Sequence, residues 1–100
     1  MKTTIEQSEG KVLVMLEGSL DSYVSEETAQ QFEPLYDLTD TEIILDCTKL
    51  EYIASSGLRL FFMLVRNVSP KGCTVFVKGA NQLLMEIFDS TGFSGFFHFI

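Results

Sequence analysis

The apolar positions of this chain fall into two kinds of pattern: short β-branched runs, and longer segments in which apolar residues return every three or four positions. Residues 3–7 and 12–16 are runs of strand composition joined across Glu9-Gly10, which predicts an antiparallel hairpin. After Gly18-Ser19-Leu20-Asp21-Ser22 the period changes. Val24, Thr28, Phe32, Leu35 and Leu38 then follow one face of a helix that Asp21 or Ser22 can cap. Pro34 has no amide hydrogen, so the pattern predicts a kink there, or a fresh helix start with proline in its first turn.

Residues 42–46 are short, β-branched and apolar without alternation, the pattern of a central strand covered on both faces. Residues 73–78 form a similar but more alternating run. Between them, residues 58–68 are long enough for one crossover helix, so the two strands are expected to be parallel with a right-handed connection. Asn81 suits the cap of a second crossover running through Leu83, Leu84, Ile87 and Phe88 to Gly92, and residues 96–100 would close the sheet. The expected fold is one α/β domain spanning residues 1–100. It has a mixed, mostly parallel sheet with helices packed on it, in the order β-β-α-β-α-β-α-β. A chain of 100 residues that is 46% hydrophobic has material for one core.

Charge narrows the possible partners. Fourteen acidic residues against seven basic ones give a net charge of −7, which repels phosphate backbones and anionic headgroups, so direct nucleic-acid binding is not expected. The apolar stretch at residues 60–65 falls far short of the roughly 20 residues that cross a bilayer. The N-terminus lacks a basic segment followed by an apolar one, and the expectation is a cytoplasmic protein without membrane insertion. Cys47 and Cys73 show no CxxC spacing and lie in apolar stretches, so they are expected as buried thiols in a reducing compartment.

Catalysis has few candidates. The chain's one histidine, His98, stands among C-terminal phenylalanines with no second ligand at metal spacing, and reads as a structural residue. Gly18 and Gly57 are isolated and form no phosphate-cradling motif. No enzymatic activity, metal or cofactor is expected.

The informative segment runs from Asp46 to Leu58, where a strand ends and two serines precede a glycine at the start of an apolar helix. On a helical wheel Leu58, Phe61, Val65 and Val68 form a buried stripe, widened by Leu60 and Leu64. The opposite arc carries Arg59, Met63, Arg66 and Asn67, with Phe62 at its margin. Arginine, methionine and aromatic residues are enriched at protein interfaces, although a solvated face can have the same composition. Ser55 suits the helix cap, its hydroxyl accepting a free amide hydrogen. Ser56 is then left pointing outward near the positive end of the helix dipole, where a phosphate gains on the order of 0.3–1 kcal/mol.

Gly18-Ser19-Leu20-Asp21, Ile44-Leu45-Asp46 and Ile53-Ala54-Ser55-Ser56-Gly57-Leu58 together resemble the STAS domain, the family of bacterial anti-sigma factor antagonists and of the cytoplasmic tails of sulfate transporters. The likeness in element order spans nearly the whole chain. It implies that Ser56, immediately before the glycine, is phosphorylated by an anti-sigma factor, a serine kinase related to histidine-kinase ATPase domains. The unphosphorylated form would bind that kinase and free the sigma factor. Phosphorylation would end binding, and a PP2C-type phosphatase would restore it. The implied docking surface takes in Asp21, Ser55, Ser56, Gly57, Arg59, Phe62, Met63 and Arg66, with Asp21 also free to cap its helix.

Two departures stand out. The family carries aspartate where this chain has Ala54, a carboxylate that could cap the helix or orient the acceptor. Many relatives continue into another helix beyond the position of Ile100, so the C-terminal phenylalanines are expected to be covered by a partner, by a second copy in a homodimer, or by a rearranged core. The resemblance also admits two other roles: an accessory subunit of a membrane transporter complex, docking by the same helix face without serine chemistry, and a nucleotide sensor.

Overall fold

The computed structural model describes residues 1–100. Strands β1 (Lys2–Ser8) and β2 (Lys11–Leu20) form the expected hairpin, and helix α1 (Ser22–Phe32) follows. Strand β3 (Glu42–Ile53), helix α2 (Ser55–Val68), strand β4 (Thr74–Lys78), helix α3 (Gln82–Thr91) and the two-residue strand β5 (His98–Phe99) complete the order β-β-α-β-α-β-α-β. The sheet runs β1-β2-β3-β4-β5, antiparallel in its first pair and parallel in the rest. Pro34 falls in the first turn of a 3-10 segment, Glu33–Asp37, that continues from α1, so the predicted break occurs where the amide hydrogen is missing. Leu35 in this segment is buried and extends the apolar face begun by Thr28 and Phe32.

The helices lie on one face of the sheet, contrary to the expectation that residues 42–46 are covered on both. Ile43 and Leu45 are fully buried while Ile44 and Asp46 are half-buried, and the same alternation runs through Val12, Val14 and Leu16 of β2 and Val75 and Val77 of β4. The strand order explains this. The chain moves in one direction across the sheet from β2 to β5, so crossovers of a single hand all fall on the same side. Ile44 is apolar although it faces away from the helices, because its register neighbours Leu13 and Phe76 give it an apolar row to lie in.

Strand β3 is also longer than the apolar run suggested. Its pairing with β2 slips twice: Met15 to Glu17 faces Asp46 to Lys49, and Gly18 to Ser19 faces Leu50 to Tyr52. Each slip places one extra residue in β3, so its buried positions after the first slip, Cys47, Leu50 and Ile53, are three apart instead of two. Gly18, with φ of 100°, takes the backbone conformation that this irregular stretch of β2 requires.

One aromatic cluster ties the helices together. Phe61 of α2 stacks on Phe32 of α1 at 6.3 Å and on Phe88 of α3 at 6.2 Å between ring centroids, and meets Phe97 edge-on at 6.2 Å. Phe97 and Phe99 both pack edge-on against Phe88 at 5.5 Å. The C-terminal phenylalanines are therefore sorted by the chain's own core. Phe97 is buried and Phe99 half-buried, while Phe96 sits in a 3-10 turn, Ser94–Phe96, ahead of the strand and stays 48% exposed. His98 faces the open side of the sheet, its ring 5.7 Å from that of Phe76.

Both cysteines are buried and unpaired, as the apolar runs around them predicted. Burial, with Asp46 beside it, pushes the Cys47 thiol up to about 12, so it is protonated and inert as a nucleophile near neutral pH.

Replacing Phe61 by alanine removes the ring that all three helices share. Phe61→Ala is expected to lower the unfolding free energy by about 3–5 kcal/mol, measured by urea denaturation followed by circular dichroism.

Candidate functional site

The ends of β2 and β3 meet the starts of α1 and α2 at one edge of the fold. Leu20, the last residue of β2, pairs with Ile53, the last residue of β3, and the amide of Ala54 donates to the Leu20 carbonyl at 2.9 Å. This extended pairing carries the backbone straight through Ala54 and makes Ser55 the first helical residue of α2. The N-cap is therefore Ala54, which has no side-chain acceptor, and Ser55 is exposed in the first turn instead of capping the helix as its composition suggested.

Gly57 sets how close α2 comes. A Cβ at this position would lie 2.6 Å from Leu20 Cγ and 2.9 Å from Ile53 Cγ1, well inside contact distance. Gly57 is itself buried, so its part in the site is to admit this approach, and it offers no surface to a partner. With Gly57 turned inward, the buried stripe becomes Gly57, Leu58, Phe61, Leu64 and Val68. Leu64 belongs to that stripe in full, and Val65 only borders it.

The close approach brings Ser56 against the start of α1. Asp21 caps α1, its Oδ1 accepting from the amides of Tyr23 at 3.0 Å and Val24 at 3.2 Å. Ser25 Oγ donates to the Asp21 carbonyl at 2.7 Å and lies 2.8 Å from Ser56 Oγ. A carbonyl oxygen only accepts, so the single hydroxyl proton of Ser25 is committed to Asp21, and Ser56 is the donor to Ser25. The Ser56 hydroxyl is thus held by α1 and is not left free to point outward. Ser25, 8% exposed, is the residue that the pattern of apolar positions did not single out. A serine in the first turns of a helix reads as surface, and only the packing of α1 on α2 shows otherwise. Tyr23 was missed for the opposite reason: it is 95% exposed at the same helix start.

Along α2, Ser56, Arg59, Met63 and Arg66 are spaced three, four and three apart and form one stripe. Arg59 and Arg66 are exposed, are the only arginines of this acidic chain, and make no ion pair. Met63 and Asn67 are half-buried, with Asn67 Nδ2 donating to the Met63 carbonyl at 2.7 Å. Phe62 departs from the expected margin. Its ring stacks on Phe93 at 5.4 Å and meets Phe96 edge-on at 5.0 Å, making a partly exposed aromatic cluster with the C-terminal segment.

Asp46, part of the quoted sequence pattern, lies apart from this site on the open face of the sheet. It helps line a shallow hollow of about 400 Å³ with Met15, Glu17, Thr48, Lys49 and Lys78. Burial pushes its carboxyl up, but hydrogen bonds from Thr48 Oγ1 at 2.6 Å and Thr48 N at 3.0 Å, with Lys78 and Lys49 nearby, outweigh burial and hold it below the ordinary carboxylate value. Its carboxylate shapes the first irregular step of β3.

A family model described as "Mlab, STAS domain" matches residues 3–99. The chain belongs to the STAS domain family, and membership in this non-enzymatic family agrees with the expectation that the chain is not an enzyme. Among its relatives, BtrV of Bordetella bronchiseptica, named as an anti-sigma factor antagonist, is 24% identical over 97 residues, covering 97% of this chain and 84% of BtrV. The anti-sigma factor antagonist SpoIIAA of Bacillus has the same fold at 17% identity. Its unphosphorylated form superposes with a TM-score of 0.78 over 99% of this chain and 87% of SpoIIAA, and its phosphorylated form with 0.76 over 99% and 91%. A sulfate transporter family protein of Wolinella succinogenes is similar with a TM-score of 0.70 at 16% identity, over 84% of this chain and 68% of that one.

Two substitutions test the geometry of this junction by chemical denaturation. Gly57→Ala forces a methyl group into Leu20 and Ile53 and is expected to cost about 1–3 kcal/mol of stability. Ala54→Asp supplies the missing cap to the free amides of the first turn and is expected to add about 0.5–2 kcal/mol.

Proposed function

We propose that this domain is an anti-sigma factor antagonist whose binding to a serine-kinase anti-sigma factor is ended by phosphorylation of Ser56. The observation that carries this reading is the single stripe in which Ser56 leads Arg59, Met63 and Arg66 along α2, beside the start of α1 with Asp21 and the exposed Tyr23. Two unpaired arginines on an acidic chain offer a local positive surface to an acidic partner. The names of BtrV and SpoIIAA, and the existence of SpoIIAA in phosphorylated and unphosphorylated forms, support it.

The switch needs no large rearrangement. Transfer from ATP forms the Ser56 Oγ–P bond, breaks the bond between the β-bridging oxygen and the γ-phosphorus, and releases ADP and the hydroxyl proton. The phosphoserine carries about −1.5 to −2 charges. One unit charge about 5 Å from a partner carboxylate, at an effective dielectric near 20, costs at most roughly 3 kcal/mol. That weakens binding roughly a hundredfold. A PP2C-type phosphatase would reverse the modification, and the reading carries a cytoplasmic location, where ATP and sigma factors are.

A second reading, an accessory module docking on a membrane transporter complex, draws on the fold likeness to the Wolinella sulfate transporter family protein and on Ala54, where no carboxylate stands beside the serines. A pull-down from the source organism with wild type and Ser56→Asp, read by mass spectrometry, separates the two. An ATPase-type serine kinase retained by wild type and weakened up to roughly a hundredfold by Ser56→Asp is the expected result. Equal retention of a transporter subunit by both forms, with Ser56 unmodified, would overturn the antagonist reading.

A further inference from the structure

We propose that Ser25 reads the modification of Ser56 and passes it to the cap of α1, an inference that rests on Ser56 being the phosphorylated residue. In the unmodified protein the protons run in one direction, from Ser56 Oγ to Ser25 Oγ at 2.8 Å and from Ser25 Oγ to the Asp21 carbonyl at 2.7 Å. Phosphorylation removes the first proton of this chain. The dianionic phosphoserine has oxygens that only accept, so the Ser56–Ser25 contact survives only if Ser25 becomes the donor. Ser25 has one proton to give and must withdraw it from Asp21.

The exchange favours the phosphate. A hydrogen bond to an ionised acceptor is roughly twice as strong as one between neutral groups. The Asp21 carbonyl lies at the partly exposed start of α1, where water replaces the hydroxyl when it leaves. Asp21 also holds the amides of Tyr23 and Val24 through its side chain, so a change at its carbonyl acts on the exposed start of α1, the second segment of the proposed docking surface. Ser25 is 8% exposed and acts through Ser56, which makes it a positioning residue and not a partner contact. The charges on the two flanking elements, the Asp21 carboxylate on α1 and the Arg59 guanidinium one turn along α2 from Ser56, remain the same whether or not Ser25 has a hydroxyl.

The test uses the 100-residue chain with phosphoserine installed at position 56 during translation, so no kinase is required. Phosphorus-31 NMR titration follows the second ionisation of the phosphate, and carbon-13 NMR follows the Asp21 carbonyl. In wild type, phosphoserine is expected to shift the Asp21 carbonyl signal. In Ser25→Ala, where alanine suits the helix interior, that response is lost and the phosphate ionisation midpoint rises. An Asp21 carbonyl unmoved by phosphoserine in wild type overturns the proposal without recourse to any variant. So does a titration midpoint that is the same with and without the Ser25 hydroxyl. Failure of a host kinase to modify Ser56 would remove the antagonist reading and leave these two measurements as they stand.

Discussion

Residue 57 has no side chain, and the rest of the site depends on that. A methyl group there would overlap Leu20 and Ile53, so only glycine lets the first turn of α2 rest on the ends of β2 and β3. From that contact follow the inward rotation of Leu58, Phe61 and Leu64, the meeting of Phe61 with Phe32 and Phe88, and the 2.8 Å approach of Ser56 to Ser25. The same close packing that orders the core therefore decides which hydroxyl of the Ser55-Ser56 pair is held by α1 and which is left in solvent.

One helix serves two surfaces. The inner side of α2 carries the aromatic ring on which α1, α3 and the C-terminal segment converge, and its outer side carries the two arginines and Met63. Because the inner side is rigidly packed, the outer stripe is presented in a fixed orientation, which lowers the entropic cost of ordering it when a partner binds. The sheet contributes through its one-sidedness. With all helices on one face, the ends of β2 and β3 open directly onto the starts of α1 and α2, and the opposite face, with Asp46, is left apart from the serines.

The order of elements was legible because each crossover segment has helical spacing of its own and each strand is bounded by glycine, proline or polar residues. The cap at Asp21 and the break at Pro34 were legible for local reasons, a carboxylate within reach of two amides and a missing amide hydrogen. The length of β3 was not, since two extra residues in its pairing with β2 changed the burial spacing from two to three and mixed Thr48, Lys49 and Glu51 into the strand. Ile44 looked like a residue covered on both sides because an uncovered row of apolar neighbours selects the same side chain as a core does.

Sequence alone determined the α/β class, the family pattern, the acidic charge, the buried cysteines and the candidate arc of Arg59, Met63, Arg66 and Asn67, because these depend on residue type and on spacing within one element. Tertiary structure alone decided that Ala54 and not Ser55 is the N-cap, that Phe62 joins Phe93 and Phe96, and that Ser25 holds Ser56. Each of these depends on how one element sits against another. Such contacts join residues as far apart as 25 and 56, whose positions are related through the pairing of β2 with β3 and the bare backbone at Gly57.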